Sequence, residues 1–76
     1  MLYKFKGGMV LNIRVNGKAR EVLPGTTVSG LLAELGLESR PVVVELNNNI
    51  IEKADFASLK LTEDDVVEIV QFVGGG

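Results

Sequence analysis

The chain contains no cysteine and no histidine. The first absence excludes disulfide staples, thiolate metal sites and a cysteine nucleophile; the second removes the commonest acid–base side chain and metal ligand. Excess positive charge is lacking too: eight Lys plus Arg stand against ten Asp plus Glu, a formal charge of -2. Nucleic-acid binding calls for a clustered basic surface, which this balance argues against. Apolar runs extend for only a few residues, far short of the roughly 20 that a membrane-spanning helix needs. The N-terminus has no apolar core of a signal peptide. The 76 residues leave room for one domain, of a size that buries only about 60% of the surface its unfolded chain exposes. The expectation is a cytoplasmic globular domain that holds no metal or cofactor and touches neither nucleic acid nor membrane. It does without the cysteine and histidine on which much catalysis relies.

What the chain does have is clear periodicity. From Val10 to Asn16, Leu11, Ile13 and Val15 alternate with Asn12 and Arg14, the period-two pattern of a half-buried strand. Asn16-Gly17 supplies two residues that tolerate positive φ, a strong hairpin signal. A second strand over residues 18–23 closes at Pro24-Gly25. Thr26 and Thr27 offer an N-cap hydroxyl, and Val28, Leu31, Leu32 and Leu35 make one apolar stripe of a helix at about 27–36. Gly36 suits the left-handed residue at its C-terminus. Gly30 lies inside the helix at a cost of about 1 kcal/mol relative to alanine, and close packing against a neighbour would explain it.

Pro41 opens a third strand with Val42, Val44 and Leu46 on one face and Glu45 on the wet side. Asn47, Asn48 and Asn49 are turn formers, and Ile50 and Ile51 suit a short fourth strand. Residues 54–61 are compatible with a single helical turn whose Phe56, Leu59 and Leu61 plug the open end of the core. An acidic turn at 62–65 leads to a last strand over 66–73. Hairpin, helix, strand, short strand and strand, with one core to share, imply an α+β fold. The arrangement is the ubiquitin-like β-grasp, with the helix across one face of a mixed four- to five-stranded sheet. The domain proper is expected at 9–73. Residues 1–8, MLYKFKGG, read as a leader that is disordered or not native to it; the alternative is an extra edge segment with Leu2, Tyr3 and Phe5 packed on the domain.

The last strand divides into two faces. Glu68 should not be buried unpaired, so its face is the wet one, and Val67 and Ile69 turn to the helix. Val70 and Phe72 are then exposed, with Val43 adjacent on the neighbouring strand, a patch suited to a partner. Immediately after comes Gly74-Gly75-Gly76. At an average glycine content near 7%, three in a row at a terminus arise by composition about three or four times in ten thousand. Glycines have no Cβ and no fixed φ, so Gly74 and Gly75 form a thread that passes through a channel too narrow for other residues. At its tip the Gly76 α-carboxylate is a poor electrophile until another enzyme activates it. A protein that serves as a substrate needs no catalytic residues of its own, which matches the composition.

The strand with VNG, the GTTV-x-x-LL helix, VVVELNNNII and the closing VEIVQFVGGG together resemble the ThiS sulfur carriers of bacterial thiamine biosynthesis, in register from Met9 to Gly76. One departure is Asp64 in TEDDVVEI, where that family commonly has glycine. The resemblance implies that a ThiF-like adenylating enzyme, using ATP and magnesium, converts the Gly76 carboxylate to an acyl-adenylate. A sulfur donor protein then replaces AMP to leave a thiocarboxylate, and a ThiG-like thiazole synthase takes the sulfur. The small subunit of molybdopterin synthase has the same fold and a Gly-Gly thiocarboxylate, but usually approaches its tail through a proline-containing segment absent from QFVGGG. Other sulfur carriers and ubiquitin-like modifiers joined to lysines through the terminal glycine are further alternatives.

Overall fold

The computed structural model describes residues 10–72. The leader at 1–8, the end of the expected last strand at Val73, and the glycines 74–76 lie outside the described residues. Strands β1 (Leu11–Val15), β2 (Lys18–Val22), β3 (Val42–Leu46), β4 (Asn49–Ile51) and β5 (Val66–Gln71) form one mixed sheet. Helix α1 (Val28–Glu34) follows the first hairpin, and a 3-10 turn (Lys53–Asp55) precedes β5. The spatial order is β2-β1-β5-β3-β4. β1 and β5 run parallel while the other pairs are antiparallel. The first and last described strands therefore sit side by side, with β5 in the middle of the sheet.

Both hairpins use consecutive residues of positive φ, which gives a turn twist matching that of the flanking strands. Asn16 and Gly17 have φ of 50° and 84°, and Asn47 and Asn48 have 52° and 72°. Asp64 has φ 69°, so it occupies the left-handed conformation that explains why a glycine also suits this position.

The helix is capped at both ends. The Thr27 hydroxyl accepts from the Gly30 N–H at 3.0 Å. At the other end Leu37 N–H donates to Leu32 O and Gly36 N–H to Ala33 O, with Gly36 at φ 76°, the Schellman pattern that satisfies the last carbonyls. The orphan N–H groups of Val28 and Ser29 donate to the carbonyls of Leu59 and Phe56, so the irregular segment after the 3-10 turn completes the helix start. In return Leu61 N–H donates to Thr26 O and the Leu61 side chain is buried, while Phe56 and Leu59 pack on the core. The expected plug is formed.

The core joins Ile13, Val22, Val28, Leu31, Leu32, Val44, Leu61, Val67 and Ile69. Gly30 corrects one expectation: a Cβ built there comes no closer than 3.5 Å to Thr26 and Thr27, ordinary contact, so close packing does not explain this glycine. Among the described residues one charged side chain is buried. Asp65 is 7% exposed, and its carboxylate accepts from Thr62 N–H, the Thr62 hydroxyl and Asn47 Nδ2 at 2.7, 3.1 and 2.9 Å. Asn47 Oδ1 in turn accepts from Val66 N–H at 2.9 Å, so this network sets where β5 begins.

Candidate functional site

The described residues contain no group of three or more His, Cys, Asp or Glu able to hold a metal, and no helix among them is long and apolar enough to cross a membrane. In sequence, β5 (Val66–Gln71) leads to the three glycines at 74–76. Its position is held from both sides. Five register pairs, from Leu46↔Val67 to Val42↔Gln71, tie it to β3, and Arg14↔Val66 and Val15↔Val67 tie it to β1. Where β1 turns away at Asn16, the Asn16 side chain continues the pairing. Its Oδ1 accepts from Ile69 N–H at 2.7 Å and its Nδ2 donates to Ile69 O at 3.2 Å. The final backbone bond along the path is Phe72 N–H to Pro41 O at 3.2 Å. The last described residues before the tail are thus aligned by β3 and the loop ahead of it.

Alternation along β5 sorts the side chains as the pattern implied. Val67 and Ile69 are buried, while Val66, Glu68 and Val70 are exposed. Val43 is the direct cross-strand partner of Val70, and Val70 is 57% exposed with Val43 half-buried beside it. Phe72 is 59% exposed but does not simply extend this pair. It lines a cleft of about 400 Å³ together with Ser29, Leu32, Pro41 and Phe56, where the helix meets the start of β3. Two apolar features consequently lie at the end of the described β5 segment: the Val43–Val70 pair on the sheet face away from the helix and the Phe72 cleft. Gly74, Gly75 and Gly76 lie outside the described residues.

Sequence reasoning missed two features. The asparagines at 16 and 47 were legible as turn residues, yet their amides also bind β5, and nothing in local sequence signals a partner 53 or 19 residues away. The second is that Glu45 and Glu68 stand directly opposite each other on the open face. That follows from the same register that pairs Val43 with Val70, and the pairing of positions two further along was the available signal.

Comparison with known proteins settles the family. The ThiS family model matches residues 13–76, which runs from β1 through all three terminal glycines. The chain belongs to the ThiS family. It is 43% identical over 65 residues to the sulfur carrier protein ThiS of Bacillus subtilis, covering 84% of this chain and 98% of that one. The crystal structure of the thiamine biosynthesis protein ThiS from Geobacter metallireducens superposes with a TM-score of 0.74 at 35% identity, covering 87% of this chain and all of that one. The chain is also 41% identical over 66 residues to a thiazole synthase of Paramagnetospirillum magneticum. There the similarity covers 87% of this chain but only a fifth of the length of the relative. The five-stranded sheet with one helix is accordingly the β-grasp of the ThiS family.

Proposed function

We propose that this protein is the sulfur carrier of thiazole formation in thiamine biosynthesis, acting as a protein co-substrate and not as an enzyme. The observation that carries the reading is the family match extending unbroken through the strand and into Gly74, Gly75 and Gly76. In the first step the Gly76 carboxylate attacks the α-phosphate of ATP on a ThiF-like adenylating enzyme, releasing pyrophosphate and leaving an acyl-adenylate. Magnesium on that enzyme neutralises the phosphates. In the second, sulfur delivered as a hydrosulfide equivalent by a donor protein adds to the acyl carbon and AMP departs, so that one carboxylate oxygen has been exchanged for sulfur. The thiocarboxylate is then the nucleophile that a thiazole synthase uses.

The domain contributes binding and delivery. β5 is paired or hydrogen-bonded as far as Phe72, so the nucleophile stands on a short glycine thread with a rigid base. Glycine imposes no Cβ on the channel that receives it. Val43, Val70 and Phe72, grouped near that base, serve as the partner interface. The pairing with thiazole synthase is supported by the relative in which a stretch like this chain forms a fifth of one polypeptide. Linkage of that kind raises the effective concentration of donor at acceptor.

The test is intact-mass measurement after incubation with ATP, magnesium, a sulfur source and a ThiF-like adenylating enzyme. The expected product is heavier by the difference between one sulfur and one oxygen, and the gain disappears when Gly75 and Gly76 are deleted. High-molecular-weight conjugates in place of the thiocarboxylate would instead indicate a protein modifier.

A further inference from the structure

Of the five asparagines in the chain, Asn16 alone is followed by glycine. Asparagine is thermolabile because the backbone nitrogen of the next residue can attack its side-chain amide carbon. Gly17 puts no side chain in the way of that attack, and nothing lies within 4 Å of where its Cβ would stand. Both residues are exposed to water, and the Gly17 N–H donates to no other described residue. The nucleophile is free and open to base.

The electrophile is held. Asn16 Oδ1 accepts from Ile69 N–H at 2.7 Å and Nδ2 donates to Ile69 O at 3.2 Å, so both polar atoms of the amide are engaged by β5. The register pairs of β1 with β5 stop at Val15↔Val67, and Asn16 N–H donates to Val67 O at 2.9 Å. Among the described residues, the hydrogen bonds that the first hairpin makes to β5 beyond Val67 come from this amide alone. Strand ends open more readily than strand centres, and each opening at Ile69 sets the amide free beside an unprotected nucleophile.

We propose that Asn16 is a site of spontaneous deamidation, gated by release of its side chain from Ile69. The Gly17 amide nitrogen gives its proton to base and bonds to Asn16 Cγ. The Cγ–Nδ2 bond breaks, Nδ2 leaves as ammonia, and a five-membered succinimide remains. Water then adds to either ring carbonyl and opens it to aspartate or isoaspartate. Aspartate places a carboxylate oxygen where Nδ2 stood, acceptor against acceptor at Ile69 O, and keeps only the bond from Ile69 N–H. Isoaspartate lengthens the main chain of a two-residue loop and disturbs the Val15↔Lys18 register. Either product loosens β5 from Ile69 toward Phe72, so a transient release becomes permanent. On the sulfur-carrier reading, on which this last consequence alone rests, the base of the glycine thread loses its fixed direction and an aged carrier delivers its tail less well.

The experiment holds the full chain in mildly alkaline buffer, with and without urea, and samples it over time. Trypsin cuts after Arg14 and Lys18, so residues 15–18 are followed as one peptide by mass, with chromatographic retention separating aspartate from isoaspartate. Asn16 is expected to react before the other four asparagines, and about tenfold more slowly in the folded chain than in urea. Val70→Gly weakens the end of β5 without altering Asn16 or Ile69. It should speed the reaction of the folded chain about threefold, with hydrogen exchange of the Ile69 N–H rising by the same factor. Equal rates with and without urea, earlier reaction at another asparagine, or a Val70→Gly rate that does not follow Ile69 exchange overturns the proposal. Asn16→Asp keeps a residue tolerant of φ 50° and should lower kcat/KM for pyrophosphate release on a ThiF-like adenylating enzyme about threefold or more. Unchanged kcat/KM would overturn the effect on delivery. No pyrophosphate release from the unaltered chain would overturn the carrier reading and leave the deamidation site standing.

Discussion

The side-chain amide of Asn16 and the backbone of Ile69 bond in both directions, Ile69 N–H to Oδ1 at 2.7 Å and Nδ2 to Ile69 O at 3.2 Å. An amide side chain thereby imitates one residue of a parallel strand at the point where the real strand turns into its hairpin. Because Ile69 immediately precedes the exposed Val70, this contact helps set which way the end of β5 faces. Asn16→Gly retains the freedom to adopt φ 50° and removes only the amide. It is expected to lower the unfolding free energy by about 1–3 kcal/mol, read by urea denaturation; an unchanged midpoint would show that the amide bonds contribute nothing net.

Asp65 is the buried centre of the second network. Asp65→Ala leaves the Thr62 N–H, the Thr62 hydroxyl and the Asn47 amide without their acceptor. The expected loss is about 2–3 kcal/mol, the cost of unsatisfied buried donors. Thermal unfolding followed by circular dichroism measures it, and Asn47→Ala on the same background should add less than it costs alone, since the two residues share one network.

Gly30→Ala should move stability the other way. The added Cβ meets nothing closer than 3.5 Å and the N–H that donates to Thr27 is kept, so the helix gains about 0.5–1 kcal/mol from the reduced freedom of the unfolded chain. Chemical denaturation decides this, and a destabilised variant would contradict the space seen around Gly30.

Val70→Lys separates docking from folding. The side chain is exposed, so the change in stability should stay within about 0.5 kcal/mol. Binding to the adenylating enzyme should weaken about tenfold, equivalent to about 1.4 kcal/mol. Calorimetric titration paired with a melting curve reads both, and a large drop in melting temperature with normal affinity would reverse the assignment.

Gly76→Ala tests the proposed site of adenylation. Unfolding is expected to match that of the unaltered chain. Pyrophosphate release should slow by on the order of 100-fold if the Cβ displaces the carboxylate by about 1 Å in its channel. Equal rates would remove the case for a passage that admits only glycine.

Much of the domain was present in local pattern. Alternation over Leu11, Ile13 and Val15, the stripe of Val28, Leu31 and Leu32, and the turn residues Asn16, Gly17 and Asn47 each act within a few positions, so the elements they dictate are legible residue by residue. The family was legible for a similar reason: VNG, the GTTV-x-x-LL helix and VEIVQFVGGG are runs of local sequence, and the family match spans them. Tertiary structure alone decided how distant segments meet. The parallel placement of β1 against β5, the amides of Asn16 and Asn47 bound to that strand, and the opposition of Glu45 and Glu68 depend on pairing across 19 to 53 residues. Hydrogen-bond donors and charges carry no mark of their eventual partner in a one-dimensional chain. Only closure of the sheet around its core brings them within reach and fixes which side chains of β5 turn away from the helix.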